Sequence, residues 1–256
     1  MTGGKLKIDI RRKRILEQLR LNGRVSVAQL ARLMDVTPVT IRNDLAMMEQ
    51  EGQLVRIQGG AIPAPGSEDY SRALGDAYSR QKQRIAQAAV KLVRDGDTLF
   101  INSGTTTEYV AEALAQRRNL SVVTNSLAVA KRLGAVASLR VVLIGGEINA
   151  QYGFTHGGDA QEQLGRYQAD WAILSVDGIS AGGITTYHAQ EAVIDRMMVR
   201  GARRTLIVAH GQKFGKTGFT RVCACSDTTF LVTDSRDAAA LQELRESGVT
   251  VTQLSD

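Results

Sequence analysis

The chain has 256 residues, of which 43% are hydrophobic and 23% are charged, and its formal net charge is +6. This composition excludes a largely disordered chain and predicts one or two globular domains. The longest apolar runs, such as residues 141–144, fall far short of the ~20 residues of a transmembrane helix, and residues 1–7 lack the apolar core of a signal peptide. We therefore expect a soluble, cytoplasmic protein with no membrane partner.

The basic charge is concentrated at the start of the chain. Residues 1–60 contain 11 Lys and Arg against six Asp and Glu, so they carry a net charge of +5 out of the total of +6. Such an asymmetry favours a nucleic-acid-binding head on a nearly neutral body, although a solvated basic tail would give the same charge. A binding fold within these residues would decide between the two.

Two helices are predicted in the first part of this basic segment. Ile15 and Leu19 lie one turn apart in a helical pattern that ends at Asn22. After it, Ser26 and Gln29 are spaced as a capping box, in which each side chain would bond the other residue's backbone N–H. This box begins a short second helix.

A third helix follows a tight turn at residues 35–36. Thr37 is its predicted N-cap and Pro38 its first residue, and its buried stripe is Ile41, Leu45 and Met48. Two helices joined by such a turn form a helix-turn-helix, whose second helix enters the DNA major groove, where Arg and Asn can make bidentate contacts with bases. The candidate DNA-binding residues of this helix are Thr37, Val39, Thr40, Arg42 and Asn43.

A β-hairpin is predicted directly after the third helix. Residues 54–57 and 61–62 are apolar segments on either side of a Gly-rich turn at residues 58–60. This hairpin suits a wing, with Arg56 as a candidate contact to the DNA backbone. RNA is a less suitable partner, because residues 1–60 contain no aromatic side chain that could stack on unpaired bases. The alternative to a DNA-binding domain in residues 1–60 is a small three-helix domain that makes protein contacts.

These features resemble the DeoR-type family of bacterial regulators. The wing residues 55–61 are similar to those of the family, and the helical signature has the family's spacing. The resemblance implies a winged helix-turn-helix transcription factor, usually a repressor of a sugar or polyol utilisation operon. The signature positions are Arg11, Ile15, Leu19, Thr37, Thr40, Ile41, Arg42, Asn43, Asp44 and Leu45.

The rest of the chain predicts a second domain. Residues 63–75 are a predicted linker, because Pro63, Pro65 and Gly66 interrupt every pattern, and they separate residues 1–62 from residues 76–256. A helix is predicted from Asp76 to Val93, and strands then alternate with helices, which predicts an α/β fold with a mostly parallel sheet and helices on its faces. The predicted strands are 98–101, 120–124, 139–144, 171–176, 205–209, 229–233 and 249–254, and the predicted helices are near 106–115, 127–133, 159–166, 188–200 and 237–246.

The loop after the first of these strands is a candidate phosphate site. Its residues Ser103, Gly104, Thr105, Thr106 and Thr107 bring hydroxyls and backbone N–H groups to the start of a helix, which is what a phosphate needs. An ordinary N-cap turn explains the same residues equally well.

Other strand ends of the second domain also carry candidate ligand-binding residues. Ligands bind at the carboxyl ends of the strands in such sheets, and polar residues or glycines recur there. The loop is neither a Walker A motif nor a dinucleotide fingerprint. The further candidates are Thr124, Asn125, Gly145, Gly146, Asp177, Gly178 and Lys213.

This second domain resembles the effector domain of the DeoR-type family as well. That domain is similar in fold to ribose-5-phosphate isomerase and coenzyme A transferases, and the resemblance adds Glu191 to the candidate site. It implies a phosphorylated sugar or polyol as effector. The chain departs from the family at Asn102, where Asp is usual, and at residues 208–212, which replace a more usual Asp-x-Ser before Lys213.

An enzyme is the competing interpretation of the second domain. Asp177, Glu191, His188 and Lys213 would be its acid/base set, in a sugar-phosphate isomerase that carries a DNA-binding head. Each of them is more simply interpreted as a contact to a ligand hydroxyl, a member of an ion pair or a surface residue, and a retained fold does not imply retained chemistry. We therefore favour a regulator without catalytic activity, in which the effector shifts the conformation of the second domain and the helix from Asp76 passes the change to the DNA-binding domains.

Because helix-turn-helix proteins read symmetric half-sites, we expect a homo-oligomer, a dimer or a tetramer.

No metal or other cofactor is expected. The two cysteines, Cys223 and Cys225, have a C-x-C spacing that differs from a redox C-x-x-C, and they are interpreted as small apolar residues on or near a strand. The three histidines, His156, His188 and His210, lie far apart in the sequence.

Overall fold

The computed structural model describes residues 3–22, 25–57, 59–63, 79–150 and 152–255. It divides into two compact units, Met1–Ser79 and Arg80–Asp256. Of the predicted linker, residues 63–75, only Pro63 lies among the described residues, and residues 76–78 of the helix predicted from Asp76 lie outside them. None of the described helices is long and apolar enough to cross a membrane.

The N-terminal unit has the three predicted helices and the predicted hairpin. Its elements are α1 (Gly3–Asn22), β1 (Val25–Ser26), α2 (Val27–Met34), α3 (Pro38–Gln50), β2 (Leu54–Ile57) and β3 (Gly60–Pro63). The strands form an antiparallel sheet in the order β1-β3-β2. The two-residue strand β1 was not predicted, and it approaches β3 so closely that a Cβ on Gly60 would overlap the carbonyl oxygen of Val25.

The helix caps of this unit follow the sequence with one difference. Thr37 caps α3 as predicted, since its Oγ1 accepts from the N–H of Thr40 at 3.2 Å. The Ser26 Oγ accepts from the N–H of Gln29 at 3.1 Å, which is half of the predicted capping box. The other half is wrong: Gln29 Oε1 accepts from the Ser26 hydroxyl, while the Ser26 backbone belongs to β1, opposite Gly60.

Among the described residues of the N-terminal unit, one charged side chain is buried in the core. The predicted stripe of Ile41, Leu45 and Met48 is buried, as predicted. Asp44, on the same face, is only 5% exposed, and both of its carboxylate oxygens accept from the guanidinium of Arg11. This ion pair joins α1 to α3, so two positions of the family signature hold the unit together.

The C-terminal unit begins with α4 (Ser79–Val90). Its remaining elements in chain order are β4 (Thr98–Ile101), α5 (Thr105–Leu114), β5 (Ser121–Thr124), α6 (Leu127–Gly134), β6 (Arg140–Leu143), β7 (Glu147–Asn149), β8 (Phe154–His156), α7 (Gly158–Leu164), β9 (Ala169–Leu174), β10 (Gly178–Ser180), β11 (Gly183–Thr186), α8 (Ala189–Gly201), β12 (Ala202–Val208), β13 (Thr220–Cys223), β14 (Phe230–Thr233), α9 (Ala238–Glu246) and β15 (Thr250–Gln253).

Seven strands form one parallel sheet in the order β15-β14-β12-β9-β4-β5-β6. These are the seven strands predicted from the sequence, and every neighbouring pair among them is parallel. The predicted fold class is therefore confirmed. The hairpin β7–β8 and the small antiparallel sheet β10-β11-β13 were not predicted. Cys223 ends β13 and is buried, and Cys225 is half-buried just beyond it, in line with their interpretation.

Helices cover both faces of the parallel sheet. Successive residues of β4 alternate between two apolar clusters, with Leu99 and Ile101 in one and Phe100 in the other. The first cluster includes residues of α4, α5 and α6, and the second includes residues of α7, α8 and α9. With both faces buried, the carboxyl ends of the strands are left as the place where a ligand can bind.

Candidate functional site

The outer face of α3 presents three of the predicted DNA-binding residues. Val39 is 59% exposed, and Arg42 and Asn43 are exposed as well, one turn further along the helix. Thr37 and Thr40 stabilise the start of the helix instead. Thr37 Oγ1 accepts from the Thr40 N–H, and the two hydroxyl oxygens lie 2.9 Å apart. The exposed face therefore offers one guanidinium, one amide and one apolar side chain.

The hairpin positions Arg56 by its backbone. The N–H of Arg56 donates to Glu49 Oε1 on α3 at 2.9 Å, which fixes β2 against the helix, while the Arg56 side chain is exposed. Gly59, with φ of +79°, lies in the turn that was predicted at residues 58–60, and residue 58 lies outside the described part of the chain.

In the C-terminal unit, the loop between β4 and α5 requires glycine at position 104. Gly104 has φ of +153°, and a Cβ there would lie 2.7 Å from Ser175 Oγ. It is the N-cap of α5 and offers no side chain, so no side-chain hydrogen bond caps this helix. Thr107 is turned inward, with its hydroxyl 2.8 Å from the Gly104 carbonyl oxygen and 3.0 Å from that of Asn102. The first turn of α5 thus keeps its backbone N–H groups for another acceptor.

A lysine that the sequence analysis missed lies at this loop. Lys82 of α4 is only 4% exposed, and its ammonium donates to Thr105 Oγ1 at 2.8 Å. Burial, and then the charge of Lys213, lower the pKa of Lys82 to about 8, against the opposing effect of Glu108. A signal existed in the sequence, because Lys82 shares its helix face with the apolar residue Ile85.

Both lysines also act on His210, which follows β12. Burial, together with the charges of Lys213 and Lys82, lowers the pKa of His210 to about 4. The imidazole is therefore neutral at pH 7, and the positive potential around it comes from lysines, chiefly Lys213 and Lys82 and less from Lys216.

Hydrogen bonds connect Ser103 to Lys213 through two carboxylates. The Ser103 hydroxyl donates to Glu191 Oε1 at 3.0 Å, and Thr186 Oγ1 lies 2.6 Å from Glu191 Oε2 and 2.9 Å from Asp177 Oδ2. Asp177 Oδ1 accepts from the Lys213 ammonium at 2.9 Å. Four predicted residues from different strand ends and from α8 are thus joined in one network, and Thr186 is the member that was not predicted.

The carboxyl groups of this region have pKa values shifted in opposite directions. Burial raises the pKa of Asp177, but the charge and hydrogen bond of Lys213 outweigh it and leave that pKa below its usual range. Burial, with a contribution from Asp177, raises the pKa of Glu191 to about 7. Burial also raises the pKa of Asp195 well above its usual range, and the charge of Glu191 adds to that rise. Asp177 is therefore the carboxyl group of the three that is fully ionised at neutral pH, where Glu191 is only partly ionised.

Asn102, where the chain departs from the family, is completely buried. Its amide nitrogen lies 3.1 Å from both carboxylate oxygens of Asp195 and 2.9 Å from the Ser175 carbonyl oxygen, and its Oδ1 accepts from the Ser175 N–H at 2.9 Å. All polar atoms of the amide are thus used to join β4 to β9 and α8. An aspartate in this position would place a second carboxyl against Asp195.

Four other candidates lie at the ends of β5 and β6, and three of them contact β8 or α7. Asn125 Nδ2 donates to the Thr155 carbonyl oxygen at 3.3 Å, and the Gly145 N–H donates to Gln163 Oε1 at 2.9 Å. Thr124 donates to the carbonyl oxygen of Ile101, which ties β5 to β4. Of these residues Asn125 is notable, because its Oδ1 is buried and has no hydrogen-bond donor among the described residues.

Two predicted glycines have a packing role. A Cβ on Gly146 would overlap the His156 carbonyl oxygen, and a Cβ on Gly178 would overlap the carbonyl oxygen of Lys216.

Thr106, another predicted residue of the loop, is buried in the first turn of α5. Among the described residues no group of three or more His, Cys, Asp and Glu is arranged to hold a metal ion.

The matches to known protein families cover both units. Residues 11–64 match the DeoR-like helix-turn-helix domain, and residues 78–235 match the DeoR C terminal sensor domain. The chain belongs to the DeoR family. The resemblance stated from the sequence is thereby confirmed.

Three curated relatives of this DeoR family chain are named as repressors. It is 33% identical over 251 residues to the putative aga operon transcriptional repressor of Escherichia coli O157:H7, covering 94% of this chain and 92% of the relative. It is 32% identical to the glycerol-3-phosphate regulon repressor of Haemophilus influenzae, over 94% of this chain and 95% of the relative. It is 30% identical to the transcriptional repressor GlcR of Bacillus subtilis, covering 86% of each chain.

Solved structures resemble this DeoR family chain more distantly. A D-ribose-5-phosphate isomerase in complex with phospho-erythronic acid matches at a TM-score of 0.41 and 12% identity, over 53% of this chain and 54% of the isomerase. The translation initiation factor eIF-2B of Pyrococcus horikoshii matches at the same TM-score of 0.41 and 16% identity, over 85% of this chain and 76% of the factor.

Proposed function

We propose that this DeoR family member is a repressor that binds operator DNA through α3 and its wing and releases it when a phosphorylated sugar or polyol binds the C-terminal unit. A homo-oligomer, a dimer or a tetramer, suits the symmetric half-sites that helix-turn-helix proteins read. The observation that carries the proposal is the buried ammonium of Lys82 beside the uncapped start of α5.

The DNA-binding part of the proposal rests on the exposed face of α3. Arg42 and Asn43 project from a helix whose opposite face is buried, and this helix lies in a segment with a strong excess of basic residues. A guanidinium and an amide on such a helix can read guanine and adenine in the major groove. Arg56, on the wing, suits a contact to phosphate, which positions the protein and does not read the sequence.

We expect Arg42→Ala and Arg56→Ala to weaken operator binding in different ways. Loss of one bidentate base contact costs roughly 1–3 kcal/mol, so Arg42→Ala should bind the operator about 5- to 150-fold more weakly and discriminate less at one base pair. Arg56→Ala should weaken binding to all sequences alike and make it less dependent on salt. Fluorescence anisotropy with operator and scrambled duplexes, at several salt concentrations, measures both effects. Equal operator affinity of wild type and Arg42→Ala would show that α3 does not lie in the groove.

The effector-binding part of the proposal rests on the Lys82 ammonium. In the described part of the chain, this charge has no anionic partner at hydrogen-bond distance. Burying an ammonium costs several kcal/mol unless an acceptor compensates, and the Lys82 ammonium donates to a neutral hydroxyl. A phosphate at the start of α5 would accept from this ammonium and from the backbone N–H groups that no side chain caps. Lys213 would add positive charge from a neighbouring strand end, where Asp177 holds it.

The remaining polar groups suit the hydroxyls of the same ligand. Asn125 Oδ1 is a buried acceptor without a donor among the described residues, and Asp177 is an ionised carboxylate that is partly exposed. Each can accept a hydrogen bond from a ligand hydroxyl. We infer that the site binds its ligand without converting it, because the relatives of the chain are named as transcriptional repressors. His188, the histidine of the competing acid/base set, packs against the ring of Tyr152.

We expect phosphorylated sugars or polyols to bind far better than the free compounds. A charge-assisted hydrogen bond contributes about 1.5–3 kcal/mol, so loss of the phosphate should weaken binding at least ~10-fold. Calorimetric titration of the full chain with a panel of sugar and polyol phosphates, each paired with its dephosphorylated form, measures the difference. Equal binding within the pairs would contradict the phosphate site. Formation of an isomerised product during the incubation would instead support the enzyme.

A further inference from the structure

Lys82 occupies a special position in the chain as well as in the site. It lies in the first turn of α4, three residues after Ser79, where the N-terminal unit ends and the sensor unit begins. The ammonium that faces the candidate phosphate loop therefore lies near the start of the sensor unit, on the side of the chain that leads back to the DNA-binding elements, the last of which ends at Pro63.

The two ends of α4 are held by different kinds of interaction. Ile85, Ala86 and Ala89 pack into the apolar cluster that also contains strand residues of the sheet. Among residues 79–84, Lys82 alone is buried, and its hydrogen bond to Thr105 holds the first turn of the helix to α5. Within the described part of the chain, the first turn is thus held by this polar contact, whereas the rest of α4 is anchored by apolar packing.

We propose that Lys82 couples the effector site to the DNA-binding unit, because its ammonium holds the first turn of α4 to Thr105 without ligand and transfers to the ligand's phosphate when one is bound. This inference rests on the proposed function, since it assumes that an anion binds at the start of α5. A bond from the ammonium to a phosphate adds the attraction between opposite charges, which the neutral Thr105 hydroxyl does not supply, so the transfer is favourable. It moves the first turn relative to the apolar anchor, and the chain carries that change towards the DNA-binding unit.

The surroundings of Lys82 support such a transfer. The charged or titratable groups that act on it or share its surroundings are Lys213 and His210 after β12 and Glu108 on α5. Lys213 repels the Lys82 ammonium and is itself held in place by Asp177. We therefore expect Lys82 to move when the phosphate binds, and Lys213 to bind the phosphate without moving. Lys213 then contributes to affinity, and Lys82 contributes to coupling.

The test compares coupling with affinity in the full chain. The ligand is a polyol phosphate, glycerol 3-phosphate, and its dissociation constant is measured by calorimetry with and without saturating operator duplex. Linkage requires the ratio of the two constants to equal the change in operator affinity caused by the ligand, and ratios of about 5- to 150-fold are typical of allosteric proteins. We expect a ratio in this range for wild type and for Lys91→Met, an exposed control lysine just after α4.

The variants separate the roles of the two lysines. Lys82→Met also loses the contact to Thr105, so without ligand its operator affinity should fall towards the value that wild type has with ligand. It should also bind the ligand more weakly and give a ratio near one. Lys213→Met should also bind the ligand more weakly but keep the wild-type ratio. Hydrogen exchange of the amides at residues 79–84 should change on ligand binding in wild type and in Lys213→Met, but not in Lys82→Met.

A second variant tests the ligand-free contact without removing the lysine. Thr105→Val deletes the hydroxyl that holds Lys82, so its operator affinity without ligand should fall towards the value that wild type has with ligand. A wild-type ratio in Lys82→Met, or unchanged operator affinity in Thr105→Val, would overturn the coupling role and leave the phosphate site standing. A wild type that binds none of the phosphate compounds would remove the proposed function, and the coupling role with it.

Discussion

Asp44→Ala is expected to destabilise the N-terminal unit by about 3–5 kcal/mol, since removal of one partner from a buried ion pair leaves the other charge uncompensated. Asp44 is 5% exposed, and the Arg11 side chain that it holds is also mostly shielded, at 17% exposed. A loss of this size approaches the whole stability of a small domain. We therefore expect Asp44→Ala to lose operator binding although Asp44 lies on the buried face of α3, with Ile41 and Leu45.

The two units can be followed separately in the full chain. The only tryptophan, Trp171, lies in the sensor unit, and residues 1–60 contain no aromatic side chain. Tryptophan fluorescence thus reports on the sensor unit, while circular dichroism reports on the helices of both units. During urea unfolding, Asp44→Ala should lower the midpoint of the first dichroism transition and leave the fluorescence transition unchanged.

Glu51→Ala is the matched control for this prediction. Glu51, the residue directly after α3, pairs with Arg12 of α1 at 3.2 Å, but its side chain is 44% exposed. Exposed pairs contribute about 0–1 kcal/mol, so this variant should unfold close to wild type. If the two variants lost the same small amount of stability, the Arg11–Asp44 pair would have no special role in the unit.

Gly104→Ala is expected to weaken binding of a polyol phosphate by about 10- to 150-fold, the equivalent of one charge-assisted hydrogen bond of ~1.5–3 kcal/mol. Any Cβ there meets the Ser175 side chain, and the backbone conformation at φ of +153° is one that alanine rarely adopts. The loop must therefore shift and move the N–H groups at the start of α5 away from the phosphate. Operator binding without ligand should remain normal.

Two further variants check the cause of that loss. Gly134→Ala adds a methyl group in α6 where nothing lies within 4 Å, so phosphate binding should be unchanged. Ser175→Gly combined with Gly104→Ala removes the clashing side chain and should recover part of the affinity. Normal phosphate binding by Gly104→Ala, measured by calorimetry, would mean that the loop is only the start of a helix and that the effector binds elsewhere.

The sequence predicted those elements that have a long or regular pattern. The strands of the parallel sheet are apolar and alternate with helical segments, and the helix caps at Ser26 and Thr37 have short-range signals. Strand β1, with two residues, and the hairpin β7–β8 are too short for their periodicity to be recognised, and tertiary pairing determines them.

The parts of the site that escaped prediction depend on contacts between distant residues. Arg11 and Asp44 are 33 positions apart, and Lys82 and Thr105 are 23 apart, so neither pair can be recognised from local spacing. Asp195 is buried beside Asn102 although the two are 93 positions apart in the chain. Glu191 entered the candidate site through the family resemblance alone, because nothing in its own neighbourhood distinguishes it from a surface glutamate of a helix.

The order of the strands in the sheet has a consequence for synthesis of the protein. β4 lies between β5 and β9, and β9 is made only after β5, β6 and the hairpin β7–β8. While the chain grows, β4, β5 and β6 can associate early, but the other edge of β4 stays unpaired until β9 has emerged. Unpaired strand edges aggregate readily, and such distant pairings form slowly. The helical N-terminal unit, built from near neighbours, can fold long before, so a stalled or truncated chain would carry a folded DNA-binding unit on an aggregation-prone half-sheet.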